Sequence, residues 1–249
     1  MSHQEGLGLP ELFIALLLSS IIMTGLMHHY LSAKKQYGDI QKKLERSIDL
    51  QLVTDLMRDS IRRAGFTPCL SIERLVTRDQ RSEFKRLAAF EISSDSKKPW
   101  LRVNRMNEHF DTVLQVMSPT QILATKVQLL YQDQSILIAD CYHAEVQKIS
   151  KIERTSKGQV LTLTKPLAFQ YHPPIYIGEW LEETYFIRRG HNGENALFYH
   201  YQHTEELTIA VHELLARLIK HKEHTLLQVI LSIPKEDSAI KIETTVRAW

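Results

Sequence analysis

The sequence predicts an α+β protein in which one long N-terminal helix, membrane-spanning and then amphipathic, packs against a C-terminal antiparallel β-sheet domain. Three observations predict it. An apolar run of membrane-crossing length lies near the N-terminus, a 3.6-residue apolar period follows, and beyond Ser71 the pattern shifts toward a period of two. The 249 residues suffice for a stalk and one sizeable domain and are short for two independent cores. With 43% hydrophobic and 24% charged residues and few Gly and Pro, the composition argues against disordered and collagen-like chains. No internal period marks a solenoid or propeller. The 31 basic and 29 acidic residues leave a net charge of +2, so nucleic acid is not indicated.

The first element is the apolar run. Leu12 to Met27 carries no charge, and extended back to Leu7 the only ionisable side chain is Glu11. At about 1.5 Å per residue this stretch crosses a hydrocarbon core of roughly 30 Å. Residues 7–29 are therefore the membrane-spanning half of the helix. The flanks do not match a secretory signal, because MSHQEG holds no Lys or Arg and MHHYLSAKKQ holds no small-x-small site. His28, His29 and Tyr30 have the composition of a membrane interface. Lys34 and Lys35 lie just beyond the span, and by the positive-inside rule they place the bulk of the chain in the cytoplasm.

Residues 30–65 form the amphipathic half. Tyr37, Ile40, Leu44, Ile48, Leu52 and Leu56, with Ile61 and Ala64 close by, recur in steps that predict one apolar stripe, and it is this stripe that is expected to meet the domain. Lys42, Lys43, Glu45, Arg46, Asp49, Asp55, Arg58 and Asp59 make the solvated face. The helix is expected to stop at Ala64, since Gly65 can adopt the left-handed cap conformation and Pro68 cannot continue a helix. A helix from Leu9 to Ala64 would be about 80 Å long.

Residues 66–249 are expected to be the β-rich domain. Strands are predicted at Leu87–Ser93, Trp100–Arg105, Thr112–Met117, Ser135–Ala139, Glu145–Ile149 and Gln159–Thr164. Four more follow at Glu183–Arg188, Ala196–Gln202, Leu226–Ile233 and Ile240–Val246. Lys157-Gly158, Pro173-Pro174 and Asn192-Gly193 are turn signals between them, and Ile209–Lys220 fits helix or strand. The two cysteines, Cys69 and Cys141, are too few for a disulfide scaffold or a four-thiolate zinc site; they are either one bridge or two buried thiols.

Motifs of catalysis are missing from the sequence. It has no Gly-rich phosphate loop, no Gly-x-Ser-x-Gly elbow and no His-Glu-x-x-His, so no enzyme, cofactor, metal or small-molecule substrate is expected. The pairs His200/His203 and His221/His224 have helix-compatible ligand spacing but fall in predicted strands or turns, which read as surface. Tyr176, Phe198, Tyr199 and Tyr201 read as strand packing before a binding face. Arg78, Arg81, Lys85 and Arg86 read as a solvated loop before a patch for DNA or lipid.

Gly6, followed by LGLP, Glu11 and the apolar run, resembles the class III leader of type IV prepilins and type II secretion pseudopilins. The resemblance implies a pilin-like fold, a leader of residues 1–6, peptidase cleavage between Gly6 and Leu7, and methylation of the new Leu7 amine. It also makes Glu11 the fifth mature residue. A carboxylate at the bilayer edge costs about 2.5–3.5 kcal/mol or more, which pairing with a neighbour's Leu7 amine would offset. The family's usual first mature residue is Phe or Met, where Leu7 stands here. RDSIRRAGFTPC (Arg58–Cys69), LIADCYHAEVQKI (Leu137–Ile149), TYFIRR, ALFYH and EELTIAV are similar, in order, to segments of the PilW family of minor pilins. The J-type minor pseudopilins share this organisation. In the PilW family the matching cysteines pair, which implies a Cys69–Cys141 bond.

Carried through, the resemblance implies a non-catalytic structural subunit that helps initiate a type IV pilus near its tip. It implies single-pass insertion in the inner membrane with the domain in the periplasm, then a place in the pilus or at the cell surface. Its partners would be other minor and major pilins, the prepilin peptidase, the inner-membrane assembly platform and the membrane itself. Two rivals remain: a J-type pseudopilin of a type II secretion system, and a membrane-anchored binding or scaffold module that is not cleaved and tolerates Glu11→Ala.

Overall fold

The computed structural model describes residues 8–82, 85–93, 99–126, 130–191, 193–220, 225–233 and 239–245. The expected leader, with Gly6 and Leu7, lies outside the described residues, as do His221, His224, Asn192 and Val246. Compactness divides the chain between Leu50 and Gln51.

The first unit is helical. Helix α1 (Leu9–Arg62) is continuous for 54 residues. Its leading segment is long and apolar enough to cross a membrane. Phe13, Ile14, Leu17, Ile21 and Met23 are all exposed although they point in different directions around the axis, as lipid-facing residues do. The polar side chains of this segment turn back onto their own helix: Ser19 donates to the Leu16 carbonyl at 2.9 Å, Ser20 to Leu17 at 2.8 Å and Thr24 to Ser20 at 2.7 Å. Each hydroxyl is thus satisfied without water, which is the condition for residence in hydrocarbon.

The second unit holds the end of α1 and the β domain. The helix ends at Arg62, two residues short of the expected Ala64, and Gly65 takes the left-handed conformation at φ 67°. The buried face agrees with the expected one at Ile61 and Ala64, 2% and 1% exposed, and differs in the turns before them. Val53, Thr54, Met57, Ser60 and Ile61 are covered, whereas Leu52 and Leu56 of the predicted stripe are 64% and 41% exposed. The covered set also recurs in steps of three and four, one residue out of phase, so apolar period alone selects neither stripe.

The strands are β1 (Val76–Asp79), β2 (Phe90–Ile92), β3 (Trp100–Met106), β4 (Asp111–Ser118), β5 (Gln121–Ala124), β6 (Ser135–Ala139) and β7 (His143–Thr155). They continue as β8 (Gly158–Leu163), β9 (Tyr176–Arg189), β10 (Asn195–His200), β11 (Thr204–Thr208), β12 (Glu213–Lys220), β13 (Thr225–Ser232) and β14 (Ala239–Thr245). Every predicted strand is present, while β1, β5 and β11 are additional, β7 and β9 run longer, and the ambiguous Ile209–Lys220 contains a strand. One pair departs from the antiparallel expectation: β1 lies parallel to β7, Val76 beside His143.

The long strand β9 organises the larger sheet. Residues Trp180–Phe186 pair with β3 and Tyr176–Ile177 with β4, so these two strands run end to end along one edge. β6 and β10 pair along the other. Because β6 also pairs with β7, the strands β6, β7, β8, β5, β4 and β9 close into a ring. Alternating inward residues fill it: Ile122, Ile136, Ile138, Ile149, Leu161 and Ile177 are all at most 1% exposed. β12, β13 and β14 form a separate three-stranded antiparallel sheet.

Candidate functional site

Three places carry the residues singled out by the sequence: the start of α1, the junction of α1 with the sheet, and the disulfide corner. Glu11 lies in the first turn of α1 and is its only acidic group there. Its carboxylate folds back over the Gly8 backbone, so closely that a Cβ on residue 8 would collide with it. A carboxylate in that position meets the positive end of the helix dipole. The signal for Gly8 was available in the sequence as a residue without a side chain three places before the acid.

At the junction, Gly65 donates its N–H to the Asn104 carbonyl at 2.8 Å and accepts from Ile72 at 2.9 Å. A Cβ there would stand 2.9 Å from that of Ala89, so both the φ angle and the packing require glycine. The last turns of α1 are fastened by polar groups. Ser60 donates to Glu183, and Arg105 reaches the other Glu183 oxygen at 2.7 Å. The Arg105 and Glu183 side chains are only 12% and 8% exposed. Burial drives the neighbouring Tyr185 phenol well above its ordinary pKa, so it stays protonated. Ser60, Arg105 and Glu183 carry no motif, and no sequence signal marked them as partners across 123 and 78 residues.

Cys69 and Cys141 form a disulfide, with Cα atoms 5.2 Å apart. Asp140, next to it, is fully buried. Burial by itself would raise its pKa, but N–H donors from His172 at 2.9 Å, Tyr142 at 2.8 Å and His143 at 2.6 Å hold it below the usual carboxylate value. Glu145, also fully buried, contrasts with it. Desolvation prevails there and raises the pKa despite bonds from Ala168 N at 2.6 Å and Gln147 Nε2 at 2.7 Å.

The basic cluster does not form an open patch. Arg81 holds Asp79 and Glu182 with paired bonds between 2.7 and 3.1 Å, and Lys85 pairs with Glu91 at 3.1 Å. Arg86 donates to the Glu73 carbonyl at 3.2 Å, and Arg78 lies over Phe169. Of the aromatics, Phe198 stacks on Phe186, Tyr199 packs on Tyr185, Tyr176 meets Phe110 edge-on, and Tyr201 donates to Glu179 at 2.6 Å. His200 is bonded to Thr204 at 2.9 Å. Among the described residues no group of three or more His, Cys, Asp and Glu is placed to hold a metal ion. Compared with protein-family models, curated proteins and solved structures, the chain matches none of them.

Proposed function

We propose that this chain is a minor pilin, a non-catalytic subunit that helps initiate and assemble a type IV pilus near its tip. The observation that carries the reading is α1: one uninterrupted helix that begins as an exposed apolar segment with Glu11 as its single ionisable group and ends fastened inside a β domain. A lone carboxylate at the end of an apolar rod is costly in lipid unless a cation meets it. Cleavage between Gly6 and Leu7 would supply that cation as the methylated Leu7 amine of a neighbouring subunit, and the pair would set the register of stacking. The disulfide supports a domain that matures in an oxidising compartment, here the periplasm. The membrane, the prepilin peptidase, the assembly platform and other pilins would be its partners.

Lys34 and Lys35 favour a second reading, an uncleaved module anchored with its domain in the cytosol. Mass spectrometry of the membrane-extracted protein separates the two. The filament reading requires a chain that begins at Leu7 with a methyl group on its amine; a chain that still begins at Met1 overturns it. Loss of surface pili on deletion then selects a pilus subunit, and loss of protein export selects a J-type pseudopilin.

A further inference from the structure

Among the described residues strand β14 leaves one edge open: it pairs there only with β13, through seven consecutive residues from Ala239 to Thr245, and the register has no bulge. Among the described residues no strand lies on its other side. An open, unbulged edge is a row of unpaired N–H and C=O groups ready to accept another strand. Three other edges are guarded. The outer part of β4 belongs to a pairing with two register shifts, β11 would bring the adjacent carboxylates Glu205 and Glu206 up to those of a second copy, and β12 lies along β3, β9 and β10.

We infer that β14 is a self-docking edge, at which a second copy of this chain adds its own β14 antiparallel about a two-fold axis through Ile242. A closed two-fold contact needs a self-complementary surface. In this register Lys241 stands opposite Glu243 of the second copy, Glu243 opposite its Lys241, and Ile240 opposite its Thr244. Lys241 and Glu243 are about half exposed on one face of the strand and already pair within it at 2.8 Å. Docking would give each ammonium a second carboxylate. Ile242, 1% exposed on the opposite face, would continue the apolar underside from one three-stranded sheet into the next, making six strands.

Seven residues bury less than the roughly 1,200 Å² of a standard stable interface, so the contact is weak in dilute solution. Anchoring by α1 confines copies to one plane and raises their effective concentration, which is where a weak edge can act. The inference does not use leader cleavage, so its failure leaves the N-terminal mass test of the filament reading untouched.

The full chain in lipid nanodiscs, mixed from unlabelled and nitrogen-15-labelled copies, is treated with a carbodiimide that joins ammonium to carboxylate. A linked peptide carrying both labels and joining Lys241 to Glu243 is the expected result. Lys241→Glu alone makes the edge acidic and Glu243→Lys alone makes it basic; neither can form the carbodiimide link with itself, so dimer yield is read by energy transfer between donor- and acceptor-labelled copies, and each variant should lower it about tenfold or more. Mixing the two single variants sets unlike charges opposite again and should restore a heterodimer. Thermal melts monitored by circular dichroism check that both variants are folded, and the double exchange K241E/E243K, which keeps the pairing, stands in if one is not. Wild-type dimer yield in the single variants, no recovery on mixing, or no doubly labelled peptide would overturn the inference.

Discussion

Asp140 has no exposed surface, yet its environment favours the ionised form, because three backbone N–H groups converge on it beside the disulfide. A carboxyl whose pKa is lower in the folded chain than in the unfolded one binds fewer protons when folded. Its contribution to stability is therefore present above the ordinary value of 3.8 and is lost as pH falls through the folded value. Asp140→Asn replaces one acceptor oxygen with a donor that faces other donors. At neutral pH the variant should unfold with roughly 2 kcal/mol less free energy than the wild type. Urea titrations repeated at descending pH should show the two proteins converging below pH 3.8. A constant gap across that range would remove the charge from the explanation. At this scale the sequence was legible only where residue type restricts conformation or chemistry. Gly65 was readable as a left-handed cap, and the cysteines as a bridge or two thiols until a family resemblance paired them. Asp140 and Glu145 look alike in sequence; what separates them is the balance the fold strikes, since three backbone N–H groups outweigh desolvation at Asp140 whereas desolvation outweighs the donors from Ala168, Gln80 and Gln147 at Glu145.

At the scale of elements, period and alternation were legible and the choice of face was not. α1 carries two overlapping series, one through Leu52 and Leu56 and one through Val53, Met57 and Ser60, which converge on Ile61 and are both compatible with a buried stripe. The sheet covers the second, because Ser60 in that series finds Glu183, itself held by Arg105, across the interface, a pairing invisible until β3 and β9 lie side by side. Mutation reads the difference directly. Met57→Ala removes a side chain with no exposed surface and should cost about 2–5 kcal/mol of domain stability. Leu52→Ala, 64% exposed, should change it by no more than about 0.5 kcal/mol. A larger loss for Leu52→Ala than for Met57→Ala in chemical denaturation would mean that the predicted stripe, not the observed one, is covered. The strands show the same division. Apolar alternating runs such as β3, β6 and β13 were found from sequence nearly to the residue, whereas β1 (VTRD), β5 (QILA) and β11 (TEELT) are short runs that no alternation marked.

The whole domain depends on contacts that no local pattern contains. Ring closure rests on β6 joining β7 to β9 and on β4 meeting β9 through two residue pairs. Such pairings link distant parts of the chain, and their loop-closure entropy must be overcome before the core forms. The disulfide acts on that same cost. Cys69 lies just past the helix end and Cys141 just before β7, so the bond ties both ends of a 72-residue stretch that includes β1 to β6. Closing a loop of this length restricts the unfolded chain by roughly 4 kcal/mol, more than the cost argued above for Asp140→Asn or Leu52→Ala. Replacing both cysteines with serine should lower the denaturant midpoint accordingly. A rise in the denaturant dependence is expected as well, because the unfolded chain without the bond exposes more surface. Reduction of the wild-type protein should reproduce both changes, since it frees the same loop without altering the sequence. If the reduced and oxidised proteins unfold at the same midpoint, the bond adds nothing to the stability of the folded domain. The junction would then be held by Met57, Ile61 and the Ser60–Glu183–Arg105 contacts alone.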